Sequence, residues 1–277
     1  MSAERPLAPF NRRAAHVIER RRHGAYVVLH CLDPDGPAPR AGQFYMLSSA
    51  RRWGAGPGER PFLPRAFSVL RTRAGEAENG GLELEFLIED VGPGTARLCE
   101  LGRGEDLLIA GPLGIPFRAP RARLRPLLVG GGVGIAPLAI LQDELGPGAA
   151  VLLGFRDRDH AAGAELLSSP GVATDDGSAG HAGLVTDLLA DELARSGAEL
   201  EVYACGPPAM LEAVRLLCAE HEVPAQLALE SGMACGFGAC FGCVVPTREG
   251  YVRLCVDGPV LDAECLESAM VAGAGHR

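Results

Sequence analysis

Aromatic residues are scarce in this chain: one Trp, four Tyr and nine Phe among 277 residues. A core with so few rings must be filled by aliphatic side chains, and an apolar fraction of 47% supplies them. Basic charge is also short. Lys and Arg number 26 against 35 Asp and Glu, a net charge of -9, and a chain with that balance has no general attraction for nucleic acid or an anionic membrane. Any run of the roughly 18 to 20 apolar residues that cross a bilayer is missing too. The start, "MSAERPLAPFNRRAAHVIERRRHGAY", carries arginines with no apolar stretch behind them. Neither nucleic acid nor membrane is expected as a partner, and the expected compartment is the cytoplasm. Thiols there stay reduced, so nine cysteines, an odd number, speak for metal or redox use rather than a disulfide framework.

A chain of this length suits two domains. Residues 14–118 alternate short β-like runs with turns: "AYVVLHCL", "QFYML", "AFSVL", "LELEFLIE" and "DLLIAG". That rhythm predicts an antiparallel barrel or sandwich. From about residue 124 it changes to strand, glycine turn and helix, in "RPLLVGGGVGIAPLAILQDEL", "AAVLLGF", "GLVTDLLADELA" and "EVYACGPPAMLEAVRLLCAEH". Strands alternating with helices predict a parallel sheet of βαβ units, so a domain boundary is expected near residue 120. The Gly/Pro-rich "RRWGAGPGERPFLP" reads as a surface loop.

Four stretches carry candidate chemistry. In "LLVGGGVGIAPL" an apolar strand meets Gly130, Gly131, Gly132 and Gly134 before a helix, a layout that lets the backbone approach a pyrophosphate at a helix N-terminus. The spacing departs from G-x-G-x-x-G, and a tight structural turn is the competing reading. The next strand ends in "FRDRDH", where Asp157 suits a ribose hydroxyl and Arg156 and Arg158 suit a 2′-phosphate, leaving NAD against NADP open. "YACGPPAM" puts Cys205 and Gly206 at another strand end; a small buried core residue is the other reading of Cys205. In "RAFSVL" and "EDVGPGTARL", Arg65 and Ser68 around Phe67 suit a phosphate and a flat ring, and Gly92, Gly94 and Thr95 suit an anion at a helix start. A solvated arginine and a turn capped by threonine are their plainer readings.

The sharpest signal is "CGFGACFGC". Cys235, Cys240, Cys243 and, after eleven residues, Cys255 have the ordering of a plant-type [2Fe–2S] site. Structural zinc also takes four thiolates but usually draws on two C-x2-C pairs, and one is present. Cys31, Cys99, Cys218 and Cys265 read as core or surface thiols. His160, His181 and the Asp175–Asp176 pair read as loop residues.

"RAFS", "GPGT", "GPLG", "GGGVGIAPL", "TDDGSAGHAGLVTD", "CGPPAM" and "ESGMACGFGACFGC" stand in the order seen in the ferredoxin–NADP reductase superfamily. The last three resemble the electron-transfer subunits of type B dihydroorotate dehydrogenase. The resemblance implies an antiparallel FAD-binding β-barrel over 14–120, a Rossmann-like NAD(P)-binding domain over 121–224 and a [2Fe–2S] segment over 225–270. It implies FAD on Arg65, Phe67, Ser68, Gly92, Gly94 and Thr95, and NAD(H) on Gly130 to Gly134, Cys205 and Gly206. It also implies a cluster on Cys235, Cys240, Cys243 and Cys255. Phe67 stands where the superfamily often has tyrosine. The 53 residues after Pro224 are short for a separate plant-type ferredoxin domain, which again points to the dihydroorotate dehydrogenase type.

The implied activity is that of an oxidoreductase component in pyrimidine biosynthesis. Electrons from an FMN-containing dihydroorotate dehydrogenase subunit, in a heterotetramer of two each, would pass through [2Fe–2S] and FAD to NAD+. A flavin is required between a hydride carrier and a one-electron cluster, and no catalytic side-chain triad is needed. Three alternatives stand beside this: the small subunit of an NADH-dependent ferredoxin–NADP oxidoreductase or sulfide dehydrogenase, a stand-alone reductase, and a zinc-stabilised interaction module.

Overall fold

The computed structural model describes residues 12–54, 61–75, 80–146, 148–196 and 199–271. Six strands, β1 (Arg13–His23), β2 (Tyr26–Asp33), β3 (Phe44–Ser49), β4 (Arg65–Ala74), β5 (Leu82–Glu89) and β6 (Asp106–Leu113), close an antiparallel barrel in the order β1-β2-β5-β4-β3-β6. The five apolar runs of the sequence are β2 to β6. Strand β1, "RAAHVIERRRH", had no such signal: Ala15 and Val17 are buried while Arg20, Arg21 and Arg22 are exposed, and ladders to β2 and β6 hold it. Helix α1 (Pro93–Glu100) connects β5 to β6. Residues 55–60 of the Gly/Pro-rich loop lie outside the described residues; its flank exposes Phe62 and Leu63.

Beyond the barrel come β7 (Arg125–Gly131), α2 (Ala136–Leu145), β8 (Ala150–Phe155), α3 (Arg158–Ala161), β9 (Gly171–Thr174), β10 (His181–Ala182), α4 (Val185–Ser196), β11 (Leu200–Cys205), α5 (Pro208–Glu220) and β12 (Ala225–Ala228). The C-terminal part adds a hairpin of β13 (Val244–Thr247) and β14 (Gly250–Arg253), a short α6 (Leu254–Asp257) and β15 (Val260–Asp262). The large sheet runs β10-β9-β8-β7-β11-β12-β15, parallel throughout except for β15. Its central strands β7 and β11 are covered on both faces, which is why "LLVGG" and "LEVYA" are buried throughout rather than alternately, Glu201 included.

Barrel and sheet share one apolar core. Tyr26, Leu29, Tyr45 and Phe86 of the barrel join Ile135, Leu138, Leu153 and Phe155 in a single buried cluster; each such side chain removed from water contributes about 1.5–3 kcal/mol. Polar contacts fix the register between them. Arg71 on β4 donates to Asp143 at 2.9 Å and to the Leu166 carbonyl at 2.7 Å, and the Ala41 N–H donates to Glu144 at 2.9 Å. The C-terminal segment is clamped into the same body, with Ile115 N–H donating to the Gly258 carbonyl at 2.5 Å and Leu229 N–H to that of Pro259 at 2.9 Å.

Candidate functional site: a cysteine loop between a barrel and a nucleotide crevice

Residues 229–243 form an irregular loop between β12 and the hairpin. Left-handed backbone at Gly236 (φ 80°) and Gly238 (φ 87°) wraps it round its own thiols. Phe241 takes the same conformation (φ 58°), held by the Arg253 guanidinium 5.3 Å above its ring. Arg253 also donates to the Gly238 carbonyl at 3.2 Å, tying the hairpin to the loop.

The structure brings Cys235, Cys240, Cys243 and Cys255 together as two pairs. Cys243 and Cys255 are buried with sulfurs 3.2 Å apart, and the Cys255 N–H points at the Cys243 sulfur at 3.5 Å. The Cys240 thiol donates to half-buried Cys235, while Cys240 itself is exposed and receives the Gly242 N–H at 3.4 Å. Burial opposes ionisation of Cys235, yet the N–H groups of Cys240, Phe237 and Ala239 together with the Cys240 thiol outweigh it and bring the thiol down to about 6. Burial pushes Cys255 up to about 12, with Cys243 beside it adding to the shift.

Among the described residues no three His, Cys, Asp or Glu side chains gather round a single metal ion. A [2Fe–2S] cluster asks for something else: two irons, each taking two thiolates, with N–H groups aimed at sulfur. The paired thiols and the amides directed at them fit that group better than one tetrahedral zinc, which needs all four sulfurs on one point.

The loop is seated on the barrel. A Cβ at Gly236 would stand 2.5 Å from Met46 Cγ and 3.2 Å from Leu113 Cδ1. Met46 on β3 pairs with Ala66 on β4, and Ala66 lies between Arg65 and Phe67. Arg65 reaches the start of α1, where a Cβ on Gly94 would come within 2.9 Å of its Nε, and its guanidinium carbon lies 6.0 Å from the centre of the Trp53 ring. Among the described residues the buried Trp53 Nε1 has no hydrogen-bond partner, and Gly92 faces open space. A cation, a helix N-terminus, an unpartnered N–H and an open glycine suit a phosphate-bearing flavin nucleotide. The Thr95 hydroxyl is engaged locally: it accepts from Val91 N–H at 2.9 Å and Gly92 N–H at 3.0 Å. Thr95 therefore shapes the turn. Phe67 and Ser68 are half-buried, with Ser68 opposite Phe44.

At the carboxyl ends of β7 and β11 the two strand-end loops press on each other. A Cβ on Gly134 would meet the Cys205 carbonyl oxygen at 2.5 Å, one on Gly131 would meet Met210 Sδ at 2.7 Å, and one on Gly206 would meet Gly131 N at 3.0 Å. Gly130 is likewise closed in by Leu138 and Leu153. These glycines serve packing between the loops, whereas Gly132 (φ 55°) looks into open space and is the one that leaves room for a ligand. Cys205, pushed up to about 12 by burial and then by Glu230, is a neutral thiol at the rim. Glu230, missed in the sequence, follows a run of buried residues and gives no periodic signal.

Asp157 caps α3, accepting from His160 N–H at 3.0 Å and lying 2.7 Å from its Nδ1. His160 is a helix residue rather than a loop residue, half-buried and edge-on to Tyr26 of the barrel at 5.7 Å. His181 sits exposed on β10, 3.4 Å from Asp187, and Asp176 accepts the Ser178 N–H at 2.9 Å.

Residues 230–267 match the family model described as the iron–sulfur cluster binding domain of dihydroorotate dehydrogenase B, a span that holds all four cysteines. The chain is 35% identical to the electron transfer subunit of dihydroorotate dehydrogenase B (NAD(+)) of Caldanaerobacter subterraneus, over 90% of this chain and 96% of that one. It is 34% identical to the probable subunit of the same kind from Methanopyrus kandleri, over 94% and 93%. Among solved structures it is similar to a chain in NADH-dependent reduced ferredoxin–NADP oxidoreductase, studied for flavin-based electron bifurcation: TM-score 0.73, 27% identity, 93% of this chain and 91% of that one. The ferredoxin reductase of carbazole 1,9a-dioxygenase, at 22% identity and TM-score 0.63 over 77% and 67%, shares the fold. On the strength of its full-length relatives, the chain belongs to the electron-transfer subunit family of dihydroorotate dehydrogenase B (NAD+).

Proposed function

We propose that this chain carries electrons between a dihydroorotate-oxidising partner subunit, which holds FMN, and NAD+, through its own [2Fe–2S] cluster and FAD. When bound, these groups supply the redox chemistry, the flavin exchanging two electrons with the nicotinamide and one at a time with the cluster. The protein supplies placement. Arg65, Gly92 and Gly94 hold the flavin nucleotide, with Phe67 and Ser68 beside them; Gly132 and the Cys205–Gly206 turn receive the nicotinamide nucleotide; Cys235, Cys240, Cys243 and Cys255 hold the cluster.

The observation that carries this reading is the contact of Gly236 with Met46, which seats the cysteine loop on the barrel strand paired with Ala66. In this reading that contact puts the cluster loop on the wall of the flavin barrel. The outer side of the same loop is open: Cys240 is exposed, and so are Phe237 (46%) and Phe241 (62%) of the loop and Tyr251 (80%) of the hairpin that follows it. Exposed aromatic side chains suit a docking face for a protein partner. Nothing in the chain resembles a dihydroorotate site, so oxidation of that substrate belongs to the partner, in an assembly of two copies of each. Among the described residues no helix is long and apolar enough to cross a membrane.

Mixing the purified chain with its FMN-containing partner, dihydroorotate and NAD+ tests the proposal. NADH appears with both proteins present and not with either alone; absence of NADH from the pair overturns it. The likeness to a chain of the ferredoxin–NADP oxidoreductase favours a second reading, in which the partner is a larger flavin and iron–sulfur protein. Co-purification from the native cell decides between them.

A further inference from the structure

Arg156 leaves the carboxyl end of β8, at the rim of the nucleotide crevice, yet its guanidinium is ion-paired with Glu89 at the end of barrel strand β5. The same Glu89 oxygen lies 3.3 Å from His160 Nε2, and His160 is braced from its other nitrogen by Asp157 at 2.7 Å. Glu89 is thus engaged by two groups of the nucleotide domain, Arg156 and His160. The second arginine of the rim, Arg158, is turned to the Ser178 carbonyl at 2.5 Å. Beside these exposed but engaged arginines stand two carboxylates, half-buried Asp157 and exposed Asp176, both held below the usual carboxylate range by hydrogen bonds from His160 and Ser178 respectively. A 2′-phosphate is gripped by free guanidinium groups, a 2′-hydroxyl by a carboxylate.

We propose that Glu89 is a specificity-determining positioning residue: by holding Arg156 against the barrel it denies a cation to a 2′-phosphate and makes the crevice select NAD(H) over NADP(H). Glu89 acts through Arg156 and touches no cofactor. The pair also explains why "FRDRDH" is ambiguous as sequence, since the residue that neutralises its first arginine stands in another domain, 67 positions away. The inference rests on the reading that the dinucleotide lies at the carboxyl ends of β7, β8 and β11.

The test compares the full-length holoprotein with Glu89→Gln, Arg156→Ala and the double variant, measuring calorimetric dissociation constants for NAD+ and NADP+ alongside kcat/KM for NADH and NADPH. Glu89→Gln should tighten NADP+ binding by roughly tenfold, the scale of one charge-assisted hydrogen bond, with NAD+ within about twofold of wild type. Arg156→Ala alone should leave the NADP+ to NAD+ ratio unchanged, because Arg156 is already withheld, and added to Glu89→Gln it should abolish the gain. Three results overturn the proposal: an unchanged ratio in Glu89→Gln, a parallel loss for both nucleotides, which is what a merely structural interdomain contact predicts, or a gain that survives Arg156→Ala. Gly132→Val tests the underlying reading separately. It should weaken NAD+ and NADP+ alike, and if it weakens neither, the crevice assignment fails rather than the role of Glu89.

Discussion

Gly236 of the cysteine loop and Met46 of barrel strand β3 pack so closely that a single added methyl on the glycine would stand 2.5 Å from Met46 Cγ. Backbone flexibility is not the reason for this glycine alone. Its φ of 80° already disfavours a side chain, and the barrel wall removes the space for one.

Gly236→Ala should therefore destabilise the loop's seat by about 1–3 kcal/mol without touching the flavin side. Iron per chain should fall while flavin per chain and NADH-driven flavin bleaching stay at the wild-type level. Metal and flavin analysis of the same sample checks this, and equal loss of both would contradict it.

The cysteines divide sharply by position. Replacing Cys235, Cys240, Cys243 or Cys255 by Ser should each remove the cluster's visible absorption and lower iron content, as should an iron chelator applied to the reduced wild-type protein. Cys218→Ser should leave iron unchanged, because that thiol lies on the buried face of α5 and is held up to about 12 by burial. Iron determination on the five variants separates the two groups.

How much of this was legible in the chain depends on where the causes lie. The strands β2 to β6 and the helices α2, α4 and α5 were readable because their periodicity is local. Strand β1 was not, since its outer half is arginine and its partners β2 and β6 supply the ladder. The cysteine spacing announced the cluster, but only the fold shows the thiols in pairs and the loop on Met46. Gly131 and Gly134 looked like part of a phosphate cradle; in the fold their Cβ positions are already taken by Met210 and by the Cys205 carbonyl. Asp157 also caps α3, a local role that the sequence did not announce.

Arg65 crosses from β4 to the start of α1 with Gly94 beneath it. Arg65→Ala should weaken FAD retention by about 1.5–3 kcal/mol, the range for a hydrogen bond to a charged group. Gly94→Ala should act in the same direction by displacing the guanidinium. Reconstitution of the flavin-free proteins with FAD, followed by fluorescence quenching, measures both; the iron content should not change.

Glu212 anchors the end of the described chain to α5. It takes a bidentate Arg215 guanidinium at 2.6 and 3.0 Å, the Ala269 N–H at 2.6 Å and the Ser268 hydroxyl at 3.2 Å. The Arg215 hydrogen bonds, opposed by burial and helped by Ala269, hold its carboxyl down to about 2. A carboxyl depressed in the folded state contributes its stability above the ordinary carboxylate value and loses it as pH falls toward the folded value. Glu212→Gln should accordingly cost about 1–3 kcal/mol at neutral pH, and the difference from wild type should shrink between pH of about 4.5 and 2. Denaturant unfolding of both proteins across that window provides the check.

The most direct test of the electron-conduit account is an anaerobic NADH titration of the purified chain, followed by visible absorption with iron and flavin quantified on the same sample. The account predicts about two irons and one flavin per chain, with the flavin bands and the broader cluster absorption both bleaching as NADH is added. A colourless protein holding zinc, or a cluster that stays oxidised while the flavin bleaches, would contradict it.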